Sequence, residues 1–245
     1  MVRGTEHSSS SACLELAMRG REDCIGIHRA FGIDRNFGIP QQERADAAVF
    51  RVRDMKTIAS LEQGISCPSD VAIACQIEIC VVVGESTRRR PVSRTHPHIS
   101  AYGVAVNFVT PISEGMPGAY GCAPMIRRTI CGTLVPASDF ECENNLLWLD
   151  LNNRPSFEAT LEEMTWPISE IVCRIARQFP MRQGDLVFTG PTQPALSVRP
   201  NDVLRGGVEG LSRFCLHIGR AARGRNVQIA SAAATDVATR SGRAR

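Results

Sequence analysis

Few of the side chains able to do chemistry stand at spacings that would let them do it. His96 and His98 flank Pro97, an i, i+2 pair that could chelate a soft metal. No cysteine or carboxylate cluster adjoins them, so a solvated loop is the simpler reading. Ten cysteines occur without one CxxC pair or any zinc-like spacing. Cys80, Cys173 and Cys215 lie inside apolar stretches, where a thiol behaves as a small hydrophobe. That usage implies free thiols in a reducing, intracellular compartment, cytoplasmic or mitochondrial. Lys56 is the single lysine among 28 cationic residues, and no phosphate-loop or kinase pattern surrounds it. A Walker-type NTPase, a kinase and most Schiff-base mechanisms are thereby excluded. Cys75 reads as buried packing rather than a nucleophile, His28 beside Arg29 as a loop histidine, and Arg88-Arg89-Arg90 as a solvated turn.

The elements that must position any site are mostly strands. Residues 72–84, AIACQIEICVVVG, alternate, with Ile73, Cys75, Ile77 and Ile79 on one side and Ala74, Gln76, Glu78 and Cys80 on the other. Residues 102–109 repeat the arrangement: Val104, Val106 and Phe108 oppose Gly103, Ala105 and Asn107. Each strand thus turns a small or polar side toward what would be a cleft. Another strand, 146–152, runs into an Asn152-Asn153 turn. One amphipathic helix is clear, with Pro167 suiting its first turn, Ile168, Ile171, Val172, Ile175 and Phe179 at helical spacing, and Pro180 ending it. A strand at 186–189, a turn at 200–202, a corner at Glu209-Gly210 and a strand at 212–218 follow.

The chain has 245 residues and a net charge of +3, but the last 27 residues hold six arginines against Asp236. The body is therefore mildly acidic, and the basic character belongs to a tail rich in Ala, Ser, Gly and Arg. The expected organisation is a disordered or targeting segment over 1–21, a single domain over 22–218, and a disordered tail over 219–245. No apolar run reaches the roughly 18 residues of a membrane helix. The tail is the one candidate for contact with nucleic acid.

The order RQGDLVFTG (182–190), a Pro/Asp turn at 200–202 and VEGL (208–211) resembles the closing segment of the fumarylacetoacetate hydrolase family. IEICVVVG (77–84), AYGVAVNF (101–108) and CIGIHRAF (24–31) extend the resemblance upstream, and the small acylpyruvate hydrolases are nearest in length and layout. The resemblance implies an α+β, strand-rich fold, a mixed β-sheet roll with few helices, commonly dimeric. It also implies a Mg²⁺ or Mn²⁺ held by two glutamates of one strand and an aspartate of the next. That ion would stabilise the enolate of a 2-oxo acid or diketone.

At those positions this chain carries Gln76, Glu78 and Asn107. The lid His and Glu fall on Gly32 and Arg35, and the usual lysine has no counterpart in 118–130. Of the substrate loop, Thr189 and Gly190 remain. Three carboxylates would bring −3 to a hard dication; this set brings −1, while its amides can hydrogen-bond Glu78 instead. The expectation is a family member without a resident cofactor that has lost metal-dependent catalysis. It would serve as a structural or regulatory subunit, as a homodimer, as a heterodimer with a related chain, or in a larger assembly. The rival expectation is an active Mg²⁺- or Mn²⁺-dependent acylpyruvate hydrolase or oxaloacetate decarboxylase or tautomerase, with Arg35 binding a carboxylate.

Overall fold

The computed structural model describes residues 14–34, 36–38, 49–67, 73–84, 99–110, 127–192 and 194–221. In chain order the strands begin with β1 (Leu14–Ala17), β2 (Cys24–Ile27), β3 (Arg29–Ile33), β4 (Phe50–Arg53), β5 (Ile58–Ser60) and β6 (Ile65–Cys67). The two long strands β7 (Ile73–Val83) and β8 (Ile99–Val109) follow, then β9 (Arg127–Cys131), β10 (Val135–Pro136), β11 (Leu146–Leu151) and β12 (Arg154–Thr160). Helix α1 (Ile168–Gln178) precedes β13 (Asp185–Phe188), β14 (Leu196–Val198), β15 (Val203–Val208) and β16 (Phe214–Arg220).

Among the described residues three sheets form. The largest has the order β4-β3-β13-β7-β8-β9-β5, with β10 also on β8 and β14 also on β7. A second runs β12-β11-β15-β16-β6, and β1 and β2 form a hairpin. The large sheet is mixed: β13 pairs parallel with β3 and antiparallel with β7. This is the strand-rich α+β architecture that the sequence pattern implies.

The alternation of β7 and β8 sorts two cores. Cys75, Ile77, Ile79, Val104, Val106 and Phe108 join the main core with α1 and the second sheet. Cys80, Ala105 and Phe188, from the opposite face, pack with Leu16 and Ile27 of the hairpin. The 11-residue β7 is buried throughout because both faces and both edges are covered.

Helix α1 buries Ile168, Ile171, Val172 and Ile175, each worth about 1.5–3 kcal/mol once removed from water. Its backbone closes on the N–H of Phe179, whose ring rests 5.3 Å from that of Phe31. Pro167 sits just before the first helical turn, at the cap position.

Four differences from the sequence reading have local causes. Leu14–Ala17, inside the segment expected to be disordered, pairs with Cys24–Ile27 and buries Leu16, while 1–13 lie outside the described residues. The final strand continues to Arg220, two residues into the expected tail, because Gly219 and Arg220 pair with Ser66 and Cys67 of β6. Residues 222–245 lie outside the described set. Cys173 and Cys215 are only half-buried, since Cys173 flanks the helix and Cys215 takes the outward side of β16. Strand β13 stops at Phe188 rather than Thr189, and the left-handed turn at Gly190 follows directly. No helix among the described residues is long and apolar enough to cross a membrane.

Candidate functional site

Gln76, Glu78 and Asn107 come together as the strand alternation requires. Register places Gln76 opposite Asn107 and Glu78 opposite Ala105 on β7 and β8, with Thr129 of β9 next to Asn107. All four side chains point to the same face, and all are buried.

A gap in strand pairing along β7 lets a loop lie over Glu78. β13 pairs with Cys80 to Val82 and β14 with Ile73 to Cys75, leaving the middle of β7 to the loop between them. That loop is pinned by Thr189 N–H to Ile79 O at 3.0 Å and Thr192 N–H to Ile77 O at 3.0 Å. Gly190, at φ +94°, turns its N–H onto Glu78 Oε2 at 3.0 Å. A side chain there would meet Asn36 Cβ at 2.8 Å, so both the dihedral and the space call for glycine.

Glu78 is fully buried and fully engaged. Oε1 accepts from Asn107 Nδ2 at 2.6 Å and stands 3.1 Å from Arg53 Nη1; Oε2 accepts from Gly190 N–H and, at 3.4 Å, from Arg53 Nη2. Burial raises its carboxyl above the ordinary range, opposed first by the charge of Arg53 and then by the Asn107 and Gly190 hydrogen bonds. Every contact brings a hydrogen to an oxygen, which is the environment of an ionised carboxylate with its lone pairs used.

The cation comes from an element the sequence reading left out. Arg53 ends the edge strand β4 and reaches under the site, with Nη1 also donating to Asn107 Oδ1 at 3.0 Å. Its guanidinium lies 4.4 Å from the centroid of the Phe188 ring, within cation–π range. Asn107 Oδ1 further accepts from Thr129 Oγ1 at 2.6 Å. Gln76 turns away from the carboxylate and donates to Thr192 O at 2.8 Å. Thus one amide pairs with Glu78 and the other stitches β7 to the loop.

Gly32 faces the same place from β3. A Cβ on it would fall 2.6 Å from Arg53 Nε, 3.0 Å from Nη2 and 3.1 Å from Cζ. Arg29, beside His28, forms a two-point ion pair with Asp185, with contacts of 2.9 and 2.5 Å. This pair joins β3 to β13 rather than facing the site. Arg35, Arg88-Arg89-Arg90, His96, His98 and 118–126 lie outside the described residues. Arg53 and Thr129 gave no signal in the sequence: neither stands in a recognisable pattern, and only the topology of β4, β3 and β9 brings them in. The exchange at Gly32 was legible, but not its partner.

The donor set does not fit a hard divalent cation. Among the described residues no three His, Cys, Asp or Glu side chains converge to hold a metal ion. The lone carboxylate already faces a guanidinium, and a dication beside Arg53 would meet a like charge at short range.

The family model "Fumarylacetoacetate (FAA) hydrolase C-terminal" matches residues 28–218. The chain belongs to this family. It is 19% identical over 191 residues to a fumarylpyruvate hydrolase of Ralstonia sp, covering 75% of this chain and 99% of that one. To the oxaloacetate tautomerase YcgM of Escherichia coli (strain K12) it is 21% identical over 198 residues, 77% of this chain and 88% of the relative. The crystal structure of fumarylpyruvate hydrolase from Pseudomonas aeruginosa in complex with Mn²⁺ and pyruvate superposes with a TM-score of 0.74 at 19% identity. That match covers 89% of this chain and 100% of the other.

Proposed function

We propose that this family member has lost metal-dependent catalysis and acts as a structural or regulatory subunit, pairing with itself or with a related active chain. The observation that carries the reading is the state of Glu78, the one carboxylate at the three family ligand positions: its oxygens are taken by Asn107, Gly190 and Arg53. An ion could enter only by displacing the Arg53 guanidinium from a buried pair, a step that leaves that cation without its partner and next to a dication of like charge. Two further features support it. Gln76 and Asn107 keep polar bulk without charge, and Gly32, expected on a lid, lies instead within β3 and has no side chain with which to move a proton.

The test is turnover. Purified protein is offered fumarylpyruvate and oxaloacetate with and without Mn²⁺ or Mg²⁺. The expected result is no chelator-sensitive breakdown or tautomerisation above the buffer rate, with light scattering giving a dimer or larger species. Chelator-sensitive turnover that disappears in Glu78→Gln overturns the reading in favour of an active hydrolase or tautomerase.

A further inference from the structure

We infer that Arg53 is a built-in cation occupying the place of a divalent ion, and that Gly32, Gln76 and Asn107 are matched to it as one set. The inference deepens the proposed function and rests on it. The guanidinium is held from several directions: by Glu78 of β7, by Asn107 of β8, and from below by the Phe188 ring of β13. These contacts originate on separate strands, so the position is defined by the sheet and not by a flexible neighbour.

Gly32 shows that the space was made for this group. The residue lies inside a regular strand and is not among the glycines with positive φ, so its backbone does not call for glycine. What favours it is contact, since a Cβ would fall 2.6 Å from Nε of Arg53 and tight against Nη2 and Cζ, so the guanidinium would have to shift from its present place. A larger side chain and the guanidinium in this placement do not fit together.

Charge completes the match. One guanidinium neutralises one carboxylate, so three carboxylates around Arg53 would leave two negative charges buried without compensation. With amides at 76 and 107, the single pair Arg53–Glu78 balances. The arginine, the glycine and the two amides are therefore one compensated exchange: together they replace a dissociable ion with a covalently tethered one. The strand geometry of the ligand positions persists beneath it.

The experiment measures Mn²⁺ binding by electron paramagnetic resonance and calorimetry in the wild type, Q76E/N107D and R53A/Q76E/N107D, with circular dichroism as the check on folding. The triple variant is expected to bind one Mn²⁺ at least 100-fold tighter than the wild type, and the double variant to stay near the wild type. Equal affinity in double and triple variants, or a folded triple variant that binds no better than the wild type, overturns the inference. Turnover by the wild type would instead sink the proposed function. A second measurement does not depend on the triple variant folding. G32A is expected to lower the denaturation midpoint when Arg53 is present and to leave it unchanged in an R53M/E78Q background. A G32A protein as stable as the wild type overturns the inference.

Discussion

Arg53 Nη1 stands 3.1 Å from Oε1 of Glu78, joining the exposed edge strand of the large sheet to the buried centre of β7. Breaking such a pair from one side leaves a buried charge, whereas replacing both members by apolar groups removes the penalty together with the attraction. Arg53→Met is therefore expected to cost about 3–5 kcal/mol of stability. The double variant R53M/E78L recovers most of that loss. Urea unfolding of the wild type, both single variants and the double variant measures the coupling directly.

Asn36 is wholly buried, and its amide is spent on one neighbour: Nδ2 donates to Trp166 O at 3.0 Å and Oδ1 accepts from Trp166 N–H at 2.8 Å. Asn36→Leu removes both bonds and leaves two buried backbone groups without partners, an expected loss of about 2–4 kcal/mol. Trp166 is itself buried, so its fluorescence emission is expected to shift to longer wavelength in the variant well before global unfolding.

Gly190→Ala tests the loop that donates to Glu78. The residue combines a left-handed φ of +94° with a Cβ position 2.8 Å from Asn36 Cβ and 3.1 Å from Asn36 N. A cost of about 2 kcal/mol or more is expected from the backbone conformation and the clash together, read as a lowered thermal midpoint.

Much of this was legible in the residues. The periodicity of residues 72–84 and 102–109 fixed which side chains share a face, and Gln76, Glu78 and Asn107 meet there because a strand leaves no other choice. The helix was equally plain, because its apolar positions recur at three- and four-residue spacing. Arg53 was not legible. It lies on a four-residue edge strand with exposed Val52, and its reach into the site depends on pairing with β3, a tertiary fact that local pattern does not encode. The same applies to Thr129, which enters only through the register of β8 with β9. Gln76 was expected near Glu78 by spacing alone, but the Thr192 carbonyl competes for its amide and wins.

Burial pushes the Cys67 thiol up to about 11 and the Cys75 thiol up to about 12, from an ordinary value of 9.0. Both are therefore protonated and shielded at neutral pH, while Cys24 is exposed. Alkylation with iodoacetamide at pH 8 is expected to label Cys24 rapidly, and Cys67 and Cys75 only after denaturant is added. Peptide mass mapping reads the order.

The same thiols set an alkaline limit. A group whose folded value is raised contributes fully below its unfolded value and loses that contribution as pH climbs toward the folded one. Stability is thus expected to hold up to about pH 9 and to fall between pH 9 and about pH 12. Cys75→Ala should flatten the decline in urea titrations across that range.

β13 lies between β3 and β7 in the large sheet, although it follows them by more than a hundred residues in the chain. The two parts of the sheet on either side of it, β4-β3 and β7-β8-β9-β5, consequently stay unjoined until residue 188 has left the ribosome, and β3 and β7 wait with open edges. Nascent chains stalled before that point would be clients for chaperones, and a partner able to shield those edges would act during synthesis rather than after it.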